Sequence, residues 1–507
     1  MTTKETQVEH FGIDFGTTNI AVGGLILDHD TKKAFRVLYG EDGVPFPSIL
    51  ALKDESGRNK IKFGRQVKTQ IATLHDEGYQ IIKSIKTALG EDIKYEIGSL
   101  RRTPTEIVQG LIESIKDYFA KAVKRKVDIT EATVDVPVDF TSVQRNELYK
   151  AFRNAGIKVN KIISESMAAY IRNRDEVAGF SKVMVFDWGG GTLDISLLEV
   201  KKGKAYEIAT SGWKVAGDRI DEIIAEFVHN QLLSEGKLSI KTSFSELSDY
   251  DKAKILTECE RAKINFSDEY DIDEPAKITM VDYCGSKSVL YRLKYENFKS
   301  LIEQTVCDAV GLIGDVLKQA NKVVQDLNAI IMVGGSSNLL PLRQIMDREF
   351  YHKKKIKIVY PDRPQWSVAE GAAIIDSIDC QYELNQDISV WMSDGTSYPI
   401  IKRGSKIPTD KLESVTFGTV DNATSANFII IDDKENILYR LTMPAKGFWG
   451  ETFDVYGEID NSLTAKIVIS GNKMMVGVKP QVAEINKLSY YCDISEIEDY
   501  KFEISND

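Results

Sequence analysis

The chain runs to 507 residues, 43% hydrophobic and 28% charged, which describes an ordinary soluble protein with room for more than one domain. Its net charge of −11 argues against nucleic acid as the main ligand, since a phosphate backbone needs a basic footprint, and no segment approaches the length of a membrane span. The five cysteines, at 259, 284, 307, 380 and 492, show no C-x-x-C spacing and read as reduced thiols; residues 1–10 lack the apolar run of a signal peptide, so the expected compartment is the cytoplasm.

From residue 11 the pattern is strand, turn, strand. Apolar, β-branched runs flank Asp14-Phe15-Gly16-Thr17-Thr18-Asn19; further strands are predicted at 22–27 and 35–38, and 45–52 reads as a turn entering another. Ile107, Val108, Leu111, Ile115 and Phe119 recur at helical spacing and predict a helix over 105–122, opened by Pro104. Residues 132–137 read as a strand stopped by proline. An amphipathic helix over 142–154, a strand at 158–163 and a helix over 165–174 follow. This is α/β layering.

The scheme then repeats. Residues 183–200 form a second strand, turn and strand, with Asp187-Trp188-Gly189-Gly190-Gly191-Thr192 at the turn and Asp194 just beyond it. Helices are predicted over 221–234, up to 259–265 and over 295–321, and a strand at 329–333. That strand enters Gly334-Gly335-Ser336-Ser337 and a helix from 340. After residue 378 the character changes. Residues 381–387 are polar and read as a linker. Short alternating runs at 397–401, 414–420, 427–431, 437–442, 452–459, 464–470 and 473–478 then predict an antiparallel β-sandwich, and the tail 485–507 is acidic with no long helical region.

The two matched turns carry the chemistry. Glycine permits the tight backbone that aims several N–H groups at one point, as in phosphate-binding nests. Asp14, Asp187 and Asp194 would repel a bare polyphosphate, so they make sense around a divalent cation. The Gly334 turn sets glycine and hydroxyl donors at a helix start, a place that suits a phosphate or ribose edge. Taken singly, each turn also fits a plain hairpin or strand–helix connection.

These stretches, together with Val136-Pro137, Gln144-Arg145, Cys259-Glu260-Arg261-Ala262-Lys263, Ser267 and Arg403-Gly404-Ser405-Lys406-Ile407-Pro408-Thr409, resemble the heat-shock seventy-kilodalton chaperones. The resemblance implies an α/β actin-like (ribonuclease H-like), two-lobed ATPase domain over 1–380, a linker at 381–388 and an all-β peptide-binding sandwich over 389–507. The sequence ends before the family's helical lid. The implied activity is slow ATP hydrolysis that gates the binding of unfolded or extended polypeptide. The implied cofactors are ATP or ADP with Mg²⁺, and K⁺ as an optional companion. A J-domain co-chaperone and a nucleotide exchange factor are the implied partners, with no nucleic acid and no membrane.

By the same resemblance Asp14 and Asp187 would hold a hydrated Mg²⁺, while Gly16, Thr17, Thr18, Asn19, Gly189, Gly190, Gly191 and Thr192 would contact the phosphates. Lys86 matches the lysine beside the γ-phosphate, and Glu165, Asp187 and Asp194 would surround the attacking water, as phosphoryl transfer needs positioning and charge neutralisation. Gly217, Gly334, Gly335 and Ser336 would line the nucleotide. Glu260, Lys263 and Ser267, on one helical face, would line the adenosine with Asn338. Pro137, Arg145 and Glu165 match a set that links γ-phosphate sensing to the second domain.

The departures are specific. Asn338 stands where many relatives have an arginine that stacks on adenine. Asp139-Phe140-Thr141-Ser142 and Ser164-Glu165-Ser166 replace the family's Tyr-Phe-Asn-Asp and Asn-Glu-Pro, near the surface used by J-domain partners. The linker lacks the usual leucines. Two other functions stay open on the sequence: a nucleotide-gated binder with little hydrolysis, and a small-molecule kinase on the same fold.

Overall fold

The structure is a computed structural model and describes residues 10–28, 33–41, 43–121, 127–137, 140–267, 272–377, 382–409, 413–471, 479–486, 488–495 and 501–504. His10–Phe15 turns back into Asn19–Asp28 and then Lys33–Tyr39, all antiparallel. On its other side Glu131–Val136 and then Lys158–Ser164 add in parallel. The second lobe repeats that order. Lys182–Trp188, Leu193–Lys201 and Lys204–Trp213 form the meander, and Ala329–Val333 and Lys357–Val359 add in parallel. Parallel strands covered on both faces are apolar throughout, and Val183–Phe186 and Ala329–Val333 are fully buried accordingly.

Two helices lie back to back between these sheets. Ser367–Ser377 crosses the first-lobe strands, and Glu165–Asn173 packs on it and on the second-lobe strand Lys182–Trp188. Only glycine allows the approach: a Cβ at Gly12 would lie 2.2 Å from the Ala369 carbonyl oxygen, and one at Gly371 would lie 1.9 Å from that of Ala168. The relative placement of the two lobes therefore rests on backbone in contact with backbone. Smaller units rim the cleft. The sheet Ile49–Glu55, Arg58–Phe63 and Gln80–Lys83 stands on the first lobe. The hairpin Ala276–Tyr283 and Ser286–Leu293 packs with helix Asp249–Asn265 on the second.

The sandwich pairs two four-stranded antiparallel sheets. One runs Ser397–Ile401, Ile388–Trp391, Ser425–Ile431, Ile437–Pro444, and the other Val415–Gly418, Thr452–Ile459, Ala465–Gly471, Gln481–Ile485. Thr452–Ile459 alternates half-buried and buried residues without a break, the period-two pattern of a strand with one face inward. Phe417, Phe428 and Ile430 lie in the core between the two sheets, where Phe428 makes edge contacts with both Phe417 and Phe453. The predicted strand at 473–478 lies outside the described residues.

Two expectations need correction. The polar stretch after 381 is not a free linker, because Tyr382–Leu384 is a strand of the second-lobe sheet. The acidic tail does not stay with the sandwich. Tyr490–Asp493 pairs between Lys204–Trp213 and Tyr382–Leu384, and Lys501–Ile504 adds in parallel to Lys33–Tyr39 at the edge of the first-lobe sheet. Three cysteines are free thiols as expected, whereas Cys492 is disulfide-bonded. Among the described residues no helix is long and apolar enough to cross a membrane.

Candidate active site

The two glycine turns meet. A Cβ at Gly190 would lie 2.5 Å from Thr18 Oγ1, and one at Gly191 would lie 2.9 Å from Thr17 Cγ2, so the second-lobe turn fits against the first lobe's threonines. The second-lobe turn is tied into its surroundings. Gly189 N–H donates to the Thr192 carbonyl at 2.9 Å, Asp218 N–H to the Gly190 carbonyl at 2.7 Å, and Ser336 Oγ to the Gly189 carbonyl at 2.7 Å. Gly217 opens the helix Gly217–Ser234 beside it, and a Cβ there would lie 2.7 Å from Ser336 Oγ. Gly334 has φ +80°, and a Cβ on it would lie 2.5 Å from Asp187 Oδ1, which explains glycine at that position. Gly16 brackets the first turn: its Cβ would lie 2.3 Å from the Asn19 carbonyl.

Behind the turns is a buried charge cluster. Lys86, 2% exposed, follows Ser84 in left-handed backbone and donates from Nζ to Glu165 Oε1 at 2.7 Å. Glu165 opens its helix directly after strand Lys158–Ser164. Asp187 sits opposite Asp194 across the hairpin, a like-charge pair that calls for a cation. Burial, then Glu165, push the Asp14 carboxyl up to about 7, although Lys86 pulls the other way. Burial, then Glu165, Asp14 and Asp194, hold Asp187 well above the usual carboxylate range. Burial lowers the Lys86 ammonium, yet Glu165, Asp135 and Asp14 together hold it above its ordinary value. The site is thus short of positive charge.

The outer part of the cleft holds the remaining predicted residues. Lys263 Nζ donates to Asp221 Oδ2 at 2.8 Å and to the Gly217 carbonyl at 3.1 Å, and Ser267 Oγ donates to the Lys263 carbonyl at 3.3 Å. Glu260 reaches across the cleft to Lys68 Nζ of the first lobe at 2.7 Å. Gly335 is open, with nothing near its Cβ position. Asn338 Oδ1 accepts from Arg343 Nη2 at 2.5 Å, and that guanidinium stacks over Tyr360 at 4.7 Å.

The structure adds residues that the sequence reading did not single out. The serines that flank Glu165 are explained by Glu207: Ser164 Oγ and Ser166 Oγ each donate to its Oε1 at 2.6 Å. Tyr382 of the former linker accepts from the Ser164 N–H at 3.1 Å. Asp135 lies with Asp14 and Glu165, one carboxylate oxygen from each lying within 4.8 Å of the others. An acid inside the otherwise apolar run Val134, Val136 was the signal that marked Asp135 in the sequence.

Residues 10–436 match the family model described as Hsp70 protein. The chain is 29% identical over 438 residues to the chaperone protein DnaK of Mycoplasma mobile, across 84% of this chain and 69% of that one. It is 29% identical over 440 residues to DnaK of Metamycoplasma hominis, with the same coverage of 84% and 69%. It is 30% identical over 430 residues to DnaK of Thermotoga petrophila, across 81% and 68%. A family match that takes in both lobes, the cleft between them and the start of the sandwich leaves one conclusion: this chain belongs to the Hsp70 family.

Proposed function

We propose that the chain is an ATP-driven chaperone, in which hydrolysis in the two-lobed domain gates the binding of extended polypeptide by the sandwich. The observation that carries the reading is the meeting of two glycine-lined aspartate turns over one buried lysine–glutamate pair. Thr17, Thr18 and the 189–192 turn supply donors to the phosphates, and Gly217 and the 334–336 turn line the rest of the nucleotide. Glu260, Lys263, Ser267 and Asn338 line the adenosine, where Arg343 brings the guanidinium that position 338 lacks. Lys86 faces the transferred phosphoryl group, and Glu165, Asp187 and Asp194 orient the water.

An oxygen-only, cation-poor set fits a hard divalent ion, and Mg²⁺ held through water by Asp14 and Asp187 would neutralise phosphate charge. The side chains do the positioning. Lys86 and Glu165 hold each other by a charge-assisted bond in a buried setting, so neither needs to reorganise when charge develops between them. Coupling to the sandwich runs through Tyr382, whose hydroxyl holds the backbone of Ser164 next to Glu165.

The test uses the full chain and a fluorescent unfolded peptide. ATP should speed peptide release, and phosphate should appear with no added acceptor. Lys86→Ala should keep ATP binding and lose turnover. Phosphate released only when a sugar or similar alcohol is supplied would replace this reading with a kinase.

A further inference from the structure

Asp135 sits on Glu131–Val136, the strand between His10–Phe15 and Lys158–Ser164. The register pairs Ile13 with Val134 and Asp135 with Ile163, which brings Asp14 beside Asp135 and Glu165 just beyond the neighbouring strand's end. Asp135 is fully buried, and no N–H or hydroxyl donor reaches either of its carboxylate oxygens, which face the Asp14 carboxyl instead. Buried polar groups are nearly always partnered, so a fully buried carboxyl that meets another carboxyl and no donor marks the place of an absent cation or a shared proton. Lys86 does not fill that role, because its hydrogen bond goes to Glu165 Oε1. Three carboxyl groups share one ammonium, so without a further cation protons must offset the charge they carry, and a polyphosphate would add to it.

We propose that Asp14, Asp135 and Glu165 form a direct-coordination site for a hard divalent cation, Mg²⁺ or Mn²⁺, that fills without nucleotide. One oxygen from each carboxyl lies within 4.8 Å of the others, about the span of two ligands each about 2.4 Å from a central ion, and a Mg²⁺ with its bonds of about 2.1 Å would draw the three closer together. An all-carboxylate set favours these ions over softer metals. The site differs from a water-held Mg²⁺ between Asp14 and Asp187 in using Asp135, in contacting its ligands directly and in needing no phosphate. It stands independently of the nucleotide reading.

The experiment titrates Mn²⁺ into nucleotide-free full-length protein and follows free Mn²⁺ by electron paramagnetic resonance. One Mn²⁺ per chain, displaced by Mg²⁺, is expected. Asp135→Asn and, as a second route, Glu165→Gln should each weaken it at least about ten-fold, the scale on which lost metal-site contacts are felt. Asp187→Asn should change it far less. Near-ultraviolet circular dichroism identifies any variant that fails to fold. Binding that appears only with ADP or ATP, and is lost in Asp187→Asn but kept in Asp135→Asn, would overturn this site and leave the nucleotide reading intact. No binding at all without nucleotide would overturn it too, as would equal affinity in Asp135→Asn; that last result would fit a proton shared between Asp14 and Asp135. Mn²⁺ bound without nucleotide in a protein that takes up no ATP would uphold the site and remove the nucleotide reading.

Discussion

Gly371→Ala tests the claim that two helices in backbone contact set the geometry of the cleft. The new Cβ would lie 1.9 Å from the Ala168 oxygen, 2.5 Å from its carbonyl carbon and 3.0 Å from its Cα. All three are main-chain atoms, so no side chain can rotate away. Restoring ordinary contact at 3.4 Å requires the helices to part by roughly 1.5 Å. Overpacking of this kind costs about 1–3 kcal/mol, and a backbone clash belongs at the upper end. Alanine returns about 1 kcal/mol of helix propensity, so the expected net loss is about 2 kcal/mol. Ala168 shares its helix with Glu165, so the shift also reaches the site; a displacement of about 1 Å can cost on the order of 100-fold in rate. Urea unfolding followed by tryptophan fluorescence, with Trp188 and Trp366 buried in the lobes, reads the stability, and phosphate release reads the site. Gly314→Ala is the control: it lies in helix Tyr295–Gln319 with nothing near its Cβ position, and should be neutral or stabilising by up to about 1 kcal/mol. Equal stability and turnover in the two variants would refute the reasoning.

Lys68→Ala removes the cleft-spanning contact with Glu260, whose partners are 31% and 26% exposed. Nucleotide should leave faster by no more than about five-fold, with the difference shrinking in high salt, because partly exposed ion pairs contribute about 1 kcal/mol or less. The pair Ser164→Ala and Ser166→Ala strips Glu207 of two donors. Burial already raises that carboxyl above its ordinary value while the serines pull it back, so its folded form favours the proton. Stability of such a group is full at acid pH and lost as pH rises through the folded value, and removing the serines raises that value further. The variant's deficit should therefore be flat at acid pH, grow by up to about 1.4 kcal/mol per pH unit between the parent's folded value and the variant's higher one, and level off above it; a deficit flat throughout would sink the assignment. Deleting residues 501–507 should free the edge of Lys33–Tyr39, and hydrogen exchange at residues 33–36 should speed up; unchanged protection there would contradict the parallel pairing.

Local pattern was enough for much of the architecture. The helix predicted at 142–154 is Ser142–Asn154, because its apolar spacing and the Thr141–Gln144 capping box are both local signals. The hairpin around the 189–191 glycines was legible for the same reason: apolar strands and a turn that only glycine permits lie next to each other in the chain. The sandwich followed from period-two runs between turns.

What the sequence by itself determined was the type and order of the elements, and the two aspartate turns as places for phosphate and metal. Tertiary structure alone decided who stands beside whom. Tyr382–Leu384 is too short for any period to declare it a strand, and it is one because Lys406–Ile407 pairs on one edge and Tyr490–Asp493, more than a hundred residues later, on the other. Asp135 is a single acid in an apolar run until the parallel register with His10–Phe15 brings Asp14 to its side. Such pairings depend on contacts between distant segments, and no window of neighbouring residues contains them.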